Sequence, residues 1–149
     1  MDFFADARVG TLIWSPLAGG FLTGKYRRDE QSPEGSRRTT FAMPPVDVEL
    51  GYRVVDALER MAIARDASIA QIALAWILAK PWVTSILVGA SKLSQLDDNL
   101  GATDIALSAE EIAELDALTK QKARYPNVRW LPDNTSADVM RGAVGKAKS

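Results

Sequence analysis

The sequence predicts an α/β protein in which two parallel strands are joined by helices, and three observations carry that prediction. Residues 9–17 and 84–88 are short apolar runs with β-branched members, the pattern of strands covered on both faces. Four other segments space their apolar residues about three and four apart, as helices do. The order is strand, loop, helix, helix, strand, helix, helix, tail, and parallel strands so ordered are joined by right-handed crossovers.

Each element has its own signal. The first strand is ended by Ser15-Pro16, and Gly19, Gly20 and Gly24 then break the pattern. Residues 25–45 are polar and rich in Pro, Gly and Arg, a long loop of the kind that is functional or disordered. Over 46–65, Leu50, Val54, Val55, Leu58, Met61 and Ile63 make one apolar face, and Asp47 and Glu49 suit a first turn through the helix dipole. Ser68 can cap a helix over 69–79 that Pro81 stops. That helix is apolar nearly all round and is expected to be largely buried. After the second strand, Gly89-Ala90-Ser91 leads into a helix with Leu93, Leu96 and Leu100 on one side and Gly101 closing it. Ser108-Ala109-Glu110-Glu111 is a capping box that opens the last helix, through Leu118. Residues 1–8 read as the end of a preceding helix, and the tail from Lys120 has little sustained periodicity. Two parallel strands leave two open edges, so the pattern calls for strands that are missing.

Composition narrows the chemistry. The 149 residues are 47% hydrophobic, enough for a sizeable core, and 18 Lys and Arg against 19 Asp and Glu leave a net charge of −1. Without Cys there is no disulfide, thiolate nucleophile or Cys-containing zinc site, and without His there is no Ser-His-Asp triad. The acidic N-terminus is unlike a signal peptide, and the apolar run over 69–79 is too short for a bilayer of ~30 Å. A cytoplasmic protein with no membrane partner is expected. Residues 94–116 hold seven acidic side chains and no basic one, which reads as solvated helix faces. The basic tail has too few aromatics for a nucleic-acid surface.

Two segments leave the predicted strands with chemistry in them. Gly19-Gly20-Phe21-Leu22-Thr23-Gly24-Lys25-Tyr26 nearly matches a P-loop. A P-loop needs a Ser or Thr hydroxyl on Mg²⁺ where Tyr26 stands, and a helix from its Lys, whereas residues 27–33 have no apolar face. The P-loop reading therefore fails on mechanism. In the second segment, Gly89-Ala90-Ser91-Lys92, free N–H groups, a hydroxyl and an ammonium converge at a helix start, which suits a phosphate. Gln95, Asp98 and Asn99 follow at spacings near one helix face. Taken alone, the same residues also fit a capped surface helix with solvated polar side chains.

Together the two segments resemble a known family. Trp14-Ser15-Pro16-Leu17-Ala18-Gly19-Gly20 with Leu22-Thr23-Gly24-Lys25-Tyr26 resembles the seventh strand and following loop of aldo-keto reductases. The run from Gly89-Ala90-Ser91 through Gln95 to Asp98-Asn99 resembles the segment after their eighth strand, and residues 68–76 resemble the helix between. The likeness covers residues 9–118 and is closest to the bacterial and potassium-channel-β-subunit-like branch.

This resemblance implies the C-terminal part of a (β/α)₈ TIM barrel, strands seven and eight with their helices, with a C-terminal tail over 119–149. Such barrels take ~250 residues, so 149 would be an incomplete one. It implies NADP(H) as cofactor and a small carbonyl compound as substrate. Trp14 would stack on the nicotinamide, Ser15, Pro16, Leu17, Ala18 and Gly19 would line the pyrophosphate, and Lys25 and Arg37 would clamp it. Gly89 and Ser91 would hold the 2′-phosphate end, and Gln95, Asp98 and Asn99 the adenosine. The family usually has Glu where Asp98 stands, one methylene longer. Substrate choice would lie in loops, including residues 25–45 and the tail near Trp130.

The family's catalytic tetrad is Asp, Tyr, Lys and His, and this sequence has no His. Tyr26, Tyr52 and Tyr125 stand in contexts unlike that of the catalytic tyrosine. The expectation is a chain that carries much of a cofactor site and turns over no substrate alone. The alternative is an interaction module that covers its open strand edges by self-association or with a separate chain.

Overall fold

The computed structural model describes residues 9–28 and 44–120. The helix end expected over 1–8, Arg37 with most of its loop, and the tail beyond Lys120 lie outside the described residues. The chain divides into two compact units, Met1–Thr119 and Lys120–Ser149, and the fold below is that of the first.

Two strands, β1 (Leu12–Ile13) and β2 (Ser85–Ile86), pair in parallel, with Leu12 opposite Ser85 and Ile13 opposite Ile86. The connection between them contains a 3₁₀ segment, Ala18–Thr23, and two helices, α1 (Val48–Ile63) and α2 (Ile69–Leu78). After β2 come α3 (Leu93–Leu100), a short 3₁₀ turn (Gly101–Asp104) and α4 (Ala109–Thr119). The predicted order of strands and helices is the observed one, with two 3₁₀ segments added.

The helices begin where side chains receive their first N–H groups. Asp47 is the N-cap of α1, accepting from the Leu50 amide at 3.0 Å, so it stands just before the helix rather than in its first turn. Ser68 and Gln71 form a reciprocal capping box on α2, and Ser108 with Glu111 does the same on α4. The core lies between these three helices. Leu58, Ile72, Ala73 and Leu115 are buried there with Val54, Met61 and Ala62. Five of the ten residues of α2 are buried, in keeping with its apolar surface.

Three expectations need correction. The strands are shorter than their apolar runs and covered on one face only. Ile13 and Ile86 are half-buried, whereas Leu12, Trp14 and Leu87 are 59%, 60% and 48% exposed. The first strand ends early, because Ser15 takes φ 53° and turns the chain out of β1. Gly101 does not close α3 in the left-handed region; its φ is −58°, and the chain runs on into the 3₁₀ turn. Space is what it supplies, since a Cβ there would lie 2.4 Å from Gln71 Nε2. The acidic face of α4 is partnered as well as solvated. Glu111 pairs with Arg65 at 2.6 Å, Glu114 with Arg60 at 2.5 Å, and Asp116 with Lys80 and the Trp76 indole.

Candidate functional site

Parallel pairing brings both strand-end turns to one edge of the sheet. The Leu87 amide donates to the Ile13 carbonyl at 2.9 Å, so the chain leaves both strands side by side. Ligands of open and closed α/β sheets gather at that C-terminal end of the strands.

The first turn holds four left-handed residues. Ser15 and Ala18 take φ 53° and 51°, Gly19 and Gly20 take 66° and 88°. Non-glycine residues hold that conformation at a cost of ~1–2 kcal/mol each, and such strain gathers at functional sites. Ser15 and Leu17 fold the turn on itself. The Ser15 carbonyl accepts from the Ala18 amide at 2.9 Å, its hydroxyl from the Gly19 amide at 3.2 Å, and the Leu17 carbonyl from the Gly20 amide at 2.9 Å. Pro16 and Leu17 are half-buried inside it. Lys25 reaches back over this turn. A Cβ on Gly20 would lie 2.9 Å from Lys25 Nζ, so glycine leaves the ammonium its seat. The same Nζ stands 5.3 Å from the centroid of the Tyr26 ring.

The second turn is open. Nothing lies within 4 Å of where a Cβ on Gly89 would be, and Ala90, Ser91 and Lys92 are exposed. The amide and hydroxyl of Ser91 converge on one oxygen, Gln95 Oε1, at 3.0 and 3.1 Å. Two donors aimed at one oxygen at a helix start are what an anionic oxygen requires. The donor set therefore fits a phosphate once the Gln95 amide moves aside.

The three candidate residues of α3, Gln95, Asp98 and Asn99, do not share a face in use. Gln95 folds onto Ser91. Asp98, half-buried, accepts from the Ser68 hydroxyl at 2.8 Å, and Asn99 is buried at 8% exposure. Arg37 lies outside the described residues. Gly20 and Ser68 are the residues that sequence reasoning had not put at the site; Ser68 was visible only as a helix cap.

The two described tyrosines are otherwise engaged. Tyr26 is buried and stacked on Phe21 with ring centroids 5.7 Å apart, and the Tyr52 hydroxyl donates to the Arg27 carbonyl at 3.0 Å. Tyr125 lies outside the described residues. No helix among the described residues is long and apolar enough to cross a membrane.

The profile of the aldo/keto reductase family matches residues 1–120. The chain belongs to the aldo/keto reductase family. Among its family relatives, the L-glyceraldehyde 3-phosphate reductase of Escherichia coli O157:H7 is 37% identical over a stretch covering 78% of this chain and 35% of that protein. A protein of Oryza sativa subsp. japonica named "Probable voltage-gated potassium channel subunit beta" is 34% identical, with 83% of this chain and 39% of that protein covered. The crystal structure of a thermostable aldo-keto reductase superposes with a TM-score of 0.52 at 32% identity, covering 78% of this chain and 32% of that one. The chain thus spans about a third of the length of these aldo/keto reductase relatives. The family's fold is a (β/α)₈ barrel, and the described residues form a partial α/β unit.

Proposed function

We propose that this chain is the cofactor-holding part of an NADP(H)-dependent aldo-keto reductase, corresponding to strands seven and eight of the barrel with their helices. The observation that carries the reading is the pair of turns at one sheet edge: the Ser15–Gly20 turn, with left-handed Ser15, Ala18, Gly19 and Gly20 beside the Lys25 ammonium, and the converging Ser91 donors. NADP(H), when bound, supplies the hydride that reduces a carbonyl. Trp14, exposed at the end of β1, offers a flat apolar face to the nicotinamide. Lys25 supplies positive charge beside the pyrophosphate turn, and Ser91 offers two donors to the 2′-phosphate end. Gln95 exchanges its bond to Ser91 for one to the nucleotide.

The reading gives this chain no part in the proton transfer. The sequence has no His, and Tyr26 and Tyr52 are committed to packing and to a backbone carbonyl. We read the chain as cytoplasmic and as without turnover alone. A second reading, an association module in which a second copy covers the sheet, is favoured by the exposure of Leu12, Trp14 and Leu87.

One experiment separates these readings. The chain is sedimented to fix its association state, then titrated with NADPH while tryptophan fluorescence and reduction of a simple aldehyde are followed. The cofactor reading expects a saturable change that Trp14→Ala reduces, and no turnover above a chain-free control. No fluorescence change at millimolar NADPH overturns cofactor binding, and aldehyde reduction overturns the absence of turnover. Concentration-dependent dimers that ignore NADPH favour the second reading.

A further inference from the structure

Helix α3 is not held by its apolar side. Leu93, Leu96 and Leu100 are 73%, 37% and 54% exposed. It is tied to the start of α2 by polar contact. The Ser68 hydroxyl donates to Asp98 Oδ2 at 2.8 Å while accepting from the Gln71 amide at 3.0 Å. Gln71 Oε1 accepts from the Ser68 amide at 2.9 Å, and the other end of the same side chain lies against Gly101, where a Cβ would meet Nε2 at 2.4 Å. Ser68 and Gln71 thus touch α3 near its last turn and immediately beyond it. A helix gripped on one side by a hydroxyl–carboxylate bond has its rotation fixed, and a hydrogen bond to a charged group is among the stronger ones. Asp98 lies three residues after Gln95, so the rotation that holds one sets the direction of the other.

We propose that Ser68 is a positioning residue for the adenosine end of the cofactor site: it holds Asp98, and so aims Gln95 and the Ser91 donors. Asp98 then serves as a strut to α2 instead of reading the base. Its short side chain suits that role, because the Ser68 hydroxyl meets it without help from a longer arm. The inference rests on the cofactor reading above.

The test uses the 149-residue chain, with adenosine 2′,5′-bisphosphate as probe by calorimetry and amide hydrogen exchange on the free protein. Ser68→Asp keeps an oxygen for the Gln71 amide, so α2 remains capped, but sets a second carboxylate against Asp98. Ser68→Thr keeps both bonds. Ser68→Asp is expected to weaken probe binding roughly tenfold and to speed exchange in α3 with α2 unchanged, while Ser68→Thr behaves as wild type. A wild-type affinity in Ser68→Asp, with or without faster α3 exchange, overturns the positioning role and leaves the cofactor reading standing. A wild-type chain that does not bind the probe overturns both, and is told apart from the first failure by the wild-type titration alone.

Discussion

Asp66 and Gly24 both occupy left-handed backbone, and they show what a single residue contributes here. Asp66 takes φ 52° just past α1, where the Ala67 amide returns to the Ala62 carbonyl at 3.0 Å, the six-to-one bond of a Schellman ending. Glycine is the usual occupant of that position, so the sequence carried no sign of this ending. Gly24 takes φ 74°, and a Cβ on it would lie 2.4 Å from Ile69 Cδ1. The two substitutions should act in opposite directions. Gly24→Ala is expected to destabilise by about 2 kcal/mol or more, combining backbone strain with the clash. Asp66→Gly is expected to stabilise by about 0.5 kcal/mol, because relief of strain outweighs the added freedom of the unfolded chain. Urea midpoints of the two variants check both signs, and a Gly24→Ala midpoint at the wild-type value would refute the first.

At the scale of elements, the starts of α2 and α4 were legible because caps are local: Ser68 stands directly before α2, and the capping box of α4 is written within four consecutive residues. The tie between Ser68 and Asp98 was not, since thirty positions separate them and nothing local requires it. The capping box of α4 also carries a pH dependence. Glu111 is held below its ordinary value of 4.5, first by the Ser108 amide that donates to it, against some burial, and then by Arg65. A carboxyl whose folded pKa is depressed contributes stability that is present above the unfolded value and is lost as pH falls through the folded one. The thermal midpoint should therefore drop as the solution is acidified below about pH 4.5, and Glu111→Gln should drop less steeply over the same window. Parallel curves for the two proteins would assign the loss to other carboxylates.

At the scale of the whole unit, what the sequence carried was order and what it concealed was coverage. Apolar runs at 9–17 and 84–88 announced strands, and the parallel pairing of Leu12 with Ser85 bears out their order. The same runs implied cover on both faces, yet Leu12, Trp14 and Leu87 are exposed, because an apolar pattern records what a strand is suited to and not what is present to bury it. The candidate site divides in the same way. Trp14, Ser15, Gly19 and Lys25 came from a contiguous motif and lie together around one turn. Gln95, Asp98 and Asn99, inferred to work together from helical spacing, go to three different surroundings, because spacing fixes an angle around the axis and leaves open what stands opposite.

The pairing of β1 with β2 also bears on how the unit assembles. The Thr11 amide and the Thr84 hydroxyl that join the strand ends at 3.0 Å are 73 residues apart, whereas α1 and α2, which share the core, follow one another directly in the chain. Closing so long a loop costs entropy before any strand contact repays it, so the helical core should form first and the sheet last. Thr84→Ala should then quicken unfolding and leave the refolding rate almost unchanged, a pattern that stopped-flow kinetics in urea would display. Slower refolding in that variant would put the strand pairing in the nucleus. If the sheet does close last, the two turns that make up the candidate site come together only in the final step of folding.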